Sequence, residues 1–263
     1  MHHLGVPTTR CLSLSLTGAG VLRDAGVTTR MEAGAVVARV APSFVRFGTF
    51  QLPPSRGDAE AAALSASLVD FVLRHHMPEA SAAAAAATAE QYPPALAMLR
   101  HTVAATAATV AGWQAVGFTH GVLNTDNMSI LGLTVDYGPF GWMEQFDPRY
   151  TPNLTDLSEG RYCFIRQPEI AGWNLEQLGD SLVRARLLSG KQARGALDEY
   201  NGALRAAYYG WLGRKFGIEV GEEDDEVGNF CREFLQLLAS SWGDFTLAHR
   251  ALGACATAAH SGG

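Results

Sequence analysis

Residues 129–135, SILGLTV, form an apolar, strand-compatible run held between two polar turns. Asp126 and Asn127 precede the run, and Asp136, Tyr137 and Gly138 follow it. A short run bounded by turn-forming residues reads as a β-hairpin whose ends meet. The segment 119–141, THGVLNTDNMSILGLTVDYGPFG, therefore brings oxygen-bearing side chains from both ends toward one place. The rest of the chain has to fold around that hairpin.

Upstream, residues 11–17 (CLSLSLT) alternate apolar and polar as a half-buried strand does, and Gly18 and Gly20 supply a turn. Residues 34–51 begin strand-like and break at Pro42, and 52–57 (LPPSRG) read as a loop. Residues 58–76 place Leu64, Leu68, Phe71 and Val72 at helical spacing, and 95–116 do the same with Leu96, Leu99, Val103, Val110 and Trp113. The alanine run from Ser81 is either a helix by propensity or an insertion. Residues 143–169 read as irregular, with helices again at 173–187, 191–213 and 229–239. The acidic run at 222–226 reads as a solvated loop and the last eight residues, ATAAHSGG, as disordered. Strands first, then helices around one hairpin, predict an α+β domain dominated by helix.

Composition narrows the function classes. The chain has 263 residues and a formal net charge of −6, which argues against nucleic acid as the main partner, because phosphate backbones need a concentrated basic surface. No apolar run reaches the ~20 residues a membrane helix needs. The first ten residues, MHHLGVPTTR, have neither signal-peptide nor transit-peptide character. Cys11, Cys163, Cys231 and Cys255 form no C-x-x-C pair and read as free thiols. The adjacent pairs His2-His3 and His75-His76 point apart on a helix and are poor chelators.

The spacing in the hairpin segment matches a known chemical requirement. Transfer from a nucleoside triphosphate needs a divalent cation, oxygen ligands to hold it and a carboxylate near the attacking group. Protein kinases meet this with H-R-D-x-x-x-x-N followed by D-F-G. Here His120 and Asn127 have the same seven-residue separation, and Asp136-Tyr137-Gly138 stands in the D-F-G place. Val122 occupies the position of the kinase base and cannot accept a proton, which counts against γ-phosphate transfer. Asp126 is the nearest acid that could replace it. The same residues also read as a polar turn at Asp126-Asn127 and a turn or N-cap at Asp136. Arg39 and Arg46, seven apart on a broken strand, are either a pair converging on one anion or two unrelated surface arginines. Gly34, Gly48 and Gly138 read as backbone requirements.

Over residues 1–180, and more weakly to about 215, the chain resembles the selenoprotein O (SelO/YdiU) family. The resemblance rests on GAVVARVAPSFVRFGTFQ, RYCFIRQPEIAGWNLEQL and above all the long H-G-V-x-N-T-D-N and D-Y-G-P-F-G string. It implies a protein-kinase-like fold that acts as a pseudokinase, holds ATP in a flipped orientation and transfers AMP to hydroxyl side chains of proteins. It implies Asp126 as the catalytic base, Asn127 and Asp136 as ligands to Mg²⁺ or Mn²⁺, and Arg39, Arg46 and Asp136 as nucleotide contacts. The implied partners are ATP and hydroxyl-bearing proteins, with no nucleic acid and no membrane. The implied location is mitochondrial, with cytoplasmic as the alternative.

Members of that family are about twice this length, and their Gly-rich loop, nucleotide-binding lysine and its glutamate partner lie upstream of the segment matching Met1. No G-x-G-x-x-G occurs here, and the two lysines, Lys191 and Lys215, stand elsewhere. The expectation is an N-terminally truncated member: a partial N-terminal lobe at 1–57, a helical C-terminal lobe at 58–215 and a divergent tail at 216–263. Such a chain is expected to carry an exposed apolar face and to be either an impaired adenylyltransferase or a non-catalytic nucleotide- and metal-binding remnant. Cys255 lacks surroundings that would carry over a terminal redox role.

Overall fold

The computed structural model describes residues 1–24, 29–57, 60–86, 88, 92–217 and 225–261. Strands β1 (Arg10–Asp24) and β2 (Thr29–Val40) pair antiparallel as a two-stranded ribbon. Helices α1 (Phe47–Arg56), α2 (Ala61–His76), α3 (Pro78–Ala86) and α4 (Pro94–Val116) follow. A two-residue strand β3 (Phe118–Thr119) pairs with β4 (Gly141–Trp142) across the irregular segment between them. Helices α5 (Gln167–Arg184), α6 (Gly190–Leu197), α7 (Glu199–Phe216), α8 (Asp225–Ser241) and α9 (Phe245–Ser261) complete the chain. The class is α+β with helix dominant, as expected.

Helix α4 is the hub. Met98, Leu99, Val103, Ala107, Val110 and Trp113 are at most 2% exposed, so it is covered on nearly every side. It packs against α2, α5, α6 and α7, and Leu123, Met128 and Ile130 from the irregular segment join the same core. Each such aliphatic side chain removed from water contributes about 1.5–3 kcal/mol. A second cluster, built on Met143, Phe146, Phe164, Leu238 and Phe245, fastens α8 and α9 to the loop after β4.

Several expectations need correction. Residues 52–57 are not a loop: α1 runs through Pro53 and Pro54 to Arg56. Proline inside a helix removes backbone donors and is costly. Phe47, Phe50 and Pro53, at i, i+3 and i+6, are buried, and α1 lies against α5; that burial outweighs the local penalty. Gly18 and Gly20 do not turn the chain. They sit in β1 where the register with β2 shifts between Leu16 and Gly20, and Gly18 has φ +73°, a glycine-supported bulge. The helix expected at 191–213 is two, α6 and α7, meeting at Asp198. The backbone of 256–261 is helical within α9 rather than irregular. Of the acidic run, residues 222–224 lie outside the described residues, and Asp225 opens α8.

The ribbon presents an exposed apolar surface. Leu12, Leu14 and Leu16 are 75%, 63% and 74% exposed, and Val36, Val37 and Val40 are also solvent-facing. Leu14 pairs with Val37 and Leu16 with Ala35, so their side chains share one face.

Candidate active site

The expected hairpin is present in reduced form. Its run 129–135 makes one antiparallel bridge, Met128 to Thr134, instead of a ladder. That single rung still sets the register: Asn127 and Val135 flank it on the open side, with Asp126 and Asp136 one position further out. The strand character is lost because each side pairs with a different part of the chain. Phe47 N–H donates to Met128 O at 3.0 Å and Ile130 N–H to Val45 O at 3.1 Å, with Arg46 opposite Ser129. On the other side Thr9 N–H donates to Thr134 O at 3.1 Å and Thr134 N–H to Pro7 O at 2.9 Å. The first seam fixes Arg46 beside the Asp126-Asn127 turn. The second fixes the start of β1 beside Asp136, and there Cys11 on β1 stands opposite Arg39 on β2.

The segment before the turn is held by side-chain amides. Gln167 Nε2 donates to Phe118 O and its Oε1 accepts from His120 N–H, both at 2.9 Å. Asn153 Nδ2 donates to Gly121 O at 2.9 Å, Asn127 Nδ2 to Val122 O at 2.9 Å and Asn174 Nδ2 to Leu123 O at 3.0 Å. Gln167 and Asn174 are fully buried. An irregular backbone inside a protein has to find partners for each polar group, and these four amides supply them. Gln167 and Asn174 stand in the RYCFIRQPEIAGWNLEQL segment and Asn153 in the irregular stretch from 143, but nothing in the sequence marks any of the three as a backbone partner.

Asp126 lies in a 3₁₀ turn, Thr125–Asn127, whose Asn124 Oδ1 accepts from Asp126 N–H at 3.1 Å. Its side chain is exposed and rests against Gly48, the second residue of α1: a Cβ there would stand 2.0 Å from Asp126 Oδ1. Gly48 thus leaves the room this carboxylate occupies, while Gly34 is a backbone requirement, since its Cβ would stand 2.9 Å from Ala19 O. Gly138 is neither crowded nor at positive φ, so that reading does not hold for it. Asn127 spends its Nδ2 on Val122, and its Oδ1 takes no hydrogen bond from a described residue. Asp136 adopts φ +58°, a left-handed conformation that aspartate tolerates better than most residues.

His120 is 2% exposed, with Nε2 2.9 Å from Val135 O. Burial lowers its pKa, opposed by the Val135 carbonyl and the charge of Asp136, so the ring is neutral and structural near pH 7. Tyr137 has its pKa raised by burial, against hydrogen bonds from Thr8 and Thr134 and the charge of Arg39.

Arg39 and Arg46 are attached to the segment through different backbone seams. Arg39 lines a cavity of about 460 Å³ with Thr8, Tyr137, Phe140 and Trp142, and its Nη1 is buried with no hydrogen-bond partner. Arg46 is outside that cavity, at the N-cap of α1, where Thr49 Oγ1 accepts from its N–H at 3.2 Å. The backbones that carry the two arginines thus reach the segment from opposite seams, and Arg39 Nη1 has a donor unused. Among the described residues no cluster of three His, Cys, Asp or Glu side chains could hold a metal. The oxygen donors Asn127 and Asp136 fit a hard cation of the Mg²⁺ or Mn²⁺ kind, which takes carboxylate and carbonyl oxygen and keeps water. Chemically, the arrangement can hold a hard cation and an anion on neighbouring parts of one loop.

The family model described as protein adenylyltransferase SelO matches residues 1–260, so the chain belongs to the SelO family. It is 44% identical over 252 residues to the protein nucleotidyltransferase YdiU of Bordetella avium (strain 197N), covering 96% of this chain and 48% of that one. It is 43% identical to the protein of the same name from Rhodopirellula baltica, covering 96% of this chain and 46% of the relative. To that of Azoarcus sp. (strain BH72) it is 51% identical over 188 residues, 70% of this chain and 34% of the relative. The chain spans about half the length of the curated relatives it matches.

Proposed function

We propose that this chain carries the catalytic loop of an ATP-dependent protein adenylyltransferase on a protein-kinase-like scaffold, moving AMP to Ser, Thr or Tyr hydroxyls of protein substrates. The observation that carries the reading is the pair of backbone seams, which ties Arg46 to the Asp126-Asn127 turn and the start of β1, paired with the Arg39 strand, to the Asp136 turn. In this reading Asn127 and Asp136 hold Mg²⁺ or Mn²⁺, and the cation neutralises phosphate charge when bound. Arg39 and Arg46 take phosphate oxygens through their planar donor forks. Asp126, exposed at the turn, accepts the proton of the incoming hydroxyl. That oxygen forms the new bond to the α-phosphorus as the bond to pyrophosphate breaks. Val122 is tolerated because the proton goes to Asp126; its carbonyl serves to fix Asn127.

A second reading, nucleotide and cation binding without turnover, has its own support. Lys215 Nζ donates to Ala115 O at the end of α4, and neither Lys215 nor Lys191 lines the Arg39 cavity. The charge neutralisation a lysine would give there is not supplied by this chain's described residues. The test is label transfer with Mn²⁺ or Mg²⁺ and ATP labelled on the α- or, in parallel, the γ-phosphate. Protein-bound α label, lost in Asp136→Ala and in Asp126→Asn, supports adenylyl transfer. ATP binding with no label from either position supports the second reading. A mitochondrial location, with cytoplasm as the alternative, belongs to the same proposal and is tested by fractionation.

A further inference from the structure

The Tyr137 hydroxyl is not needed for packing. Its ring meets Phe140 at 5.1 Å and Phe118 at 6.1 Å, edge to face, and a phenylalanine would fill the same place. The hydroxyl instead makes a short hydrogen bond with Thr8 Oγ1. Thr8 is bridged to Thr134 in parallel fashion and stands three residues before Cys11, the register partner of Arg39. Tyr137 directly follows Asp136, whose left-handed backbone aims the chain at this point. Arg39, Thr8 and Tyr137 then line one wall of the same cavity, and Arg39 Nη1 is buried there without a partner. The β1–β2 ribbon makes few other attachments to the helical body, as its exposed leucines and valines show. Besides the tie between Tyr137 and Thr8, the start of β1 is held to the Asp136 side of the loop by the two backbone bonds at Thr134 and by Thr134 Oγ1, which donates to Pro7 O at 2.8 Å.

We propose that Tyr137, through its hydroxyl bond to Thr8, is a positioning residue that fixes Arg39 relative to Asp136, so that polyphosphate and cation are held in register. The inference rests on the nucleotide reading of the site and adds a residue to it. A hydrogen bond at the root of a ribbon acts on everything the ribbon carries. Its loss leaves the fold in place, because the aromatic cluster and the seam at Thr134 remain.

The test is a binding cycle on the full chain with a non-hydrolysable ATP analogue and Mn²⁺. Tyr137→Phe and Thr8→Val are each expected to weaken binding about fivefold, the worth of one hydrogen bond, with an unchanged melting temperature. In an Arg39→Ala background, adding Tyr137→Phe is expected to change binding less than about twofold, since coupled residues are not additive. Equal loss in both backgrounds, or no loss where Arg39 is intact, overturns the proposal. Should Tyr137→Phe fold poorly, Thr8→Val carries the same comparison. Failure of the unaltered chain to bind the analogue overturns the nucleotide reading itself, and the coupling with it. Binding by that chain with no effect of either variant overturns the coupling alone.

Discussion

The carboxylate of Asp126 occupies the space that a side chain at Gly48 would take, with 2.0 Å between Asp126 Oδ1 and the position of a Cβ on that glycine. The contact sets the turn carrying Asp126 directly on the first turn of α1, and it separates two effects of one substitution. Gly48→Ala should favour the helix by up to ~1 kcal/mol, since alanine is the better helix former. It should also push the Asp126 side chain aside, because the end of a side chain yields more easily than backbone. The expected outcome is an unchanged or raised melting temperature with α-label transfer reduced on the order of 100-fold, the scale of a displaced catalytic group. Thermal melts and label transfer on the same preparation check it.

Gln167 should behave in the opposite way. It is fully buried and serves two backbone groups, Phe118 O and His120 N–H. Gln167→Ala leaves both without a partner, at a cost of about 3 kcal/mol. The denaturant midpoint should fall, with the slope unchanged. Gln167→Glu keeps the acceptor for His120 but loses the donor and buries a charge, so it should be at least as destabilising.

Acid should loosen the C-terminal helices through His249. That ring is 4% exposed, stacks on Phe216, and its pKa is lowered to about 4, first by burial and then by the charge of Lys215. Its folded pKa is below the unfolded value of about 6.5, so the unfolded state binds the extra proton. The stability contribution is whole above pH 6.5 and is lost as pH falls toward 4, at up to about 1.4 kcal/mol per pH unit. Melting temperatures of the unaltered chain should drop over that window, and His249→Phe should flatten the slope. His120, also shifted downward, adds in the same direction and should remain in that variant.

The ribbon should associate. Leu14 and Val37 face solvent side by side on a two-stranded sheet with open edges, the arrangement that invites pairing with other chains. Light scattering should show mass rising with concentration. Leu14→Lys combined with Val37→Glu keeps a cross-strand attraction and should hold the mass at that of one chain.

The sequence alone determined the class, the long helices and the identity of the polar loop. Helix α4 was legible because its apolar residues recur at helical spacing, and the turns at Asp126-Asn127 and Asp136 because polar residues bound a short apolar run there. What the tertiary structure decided are the features fixed by distant partners. Helix α1 runs through two prolines because Phe47 and Phe50 bury themselves, which no local propensity reveals. The hairpin shrinks to one rung because Val45–Phe47 on one side and Pro7–Thr9 on the other take its backbone bonds. Spacing could put Arg39 and Arg46 on one broken strand but could not show that they flank the loop from separate seams. Nor could it show that Gln167, Asn153 and Asn174 hold the loop from 32 or more residues away. Periodicity records which face of a local element is buried; it carries no information on which remote amide completes a buried backbone, because that choice is made only when the elements pack.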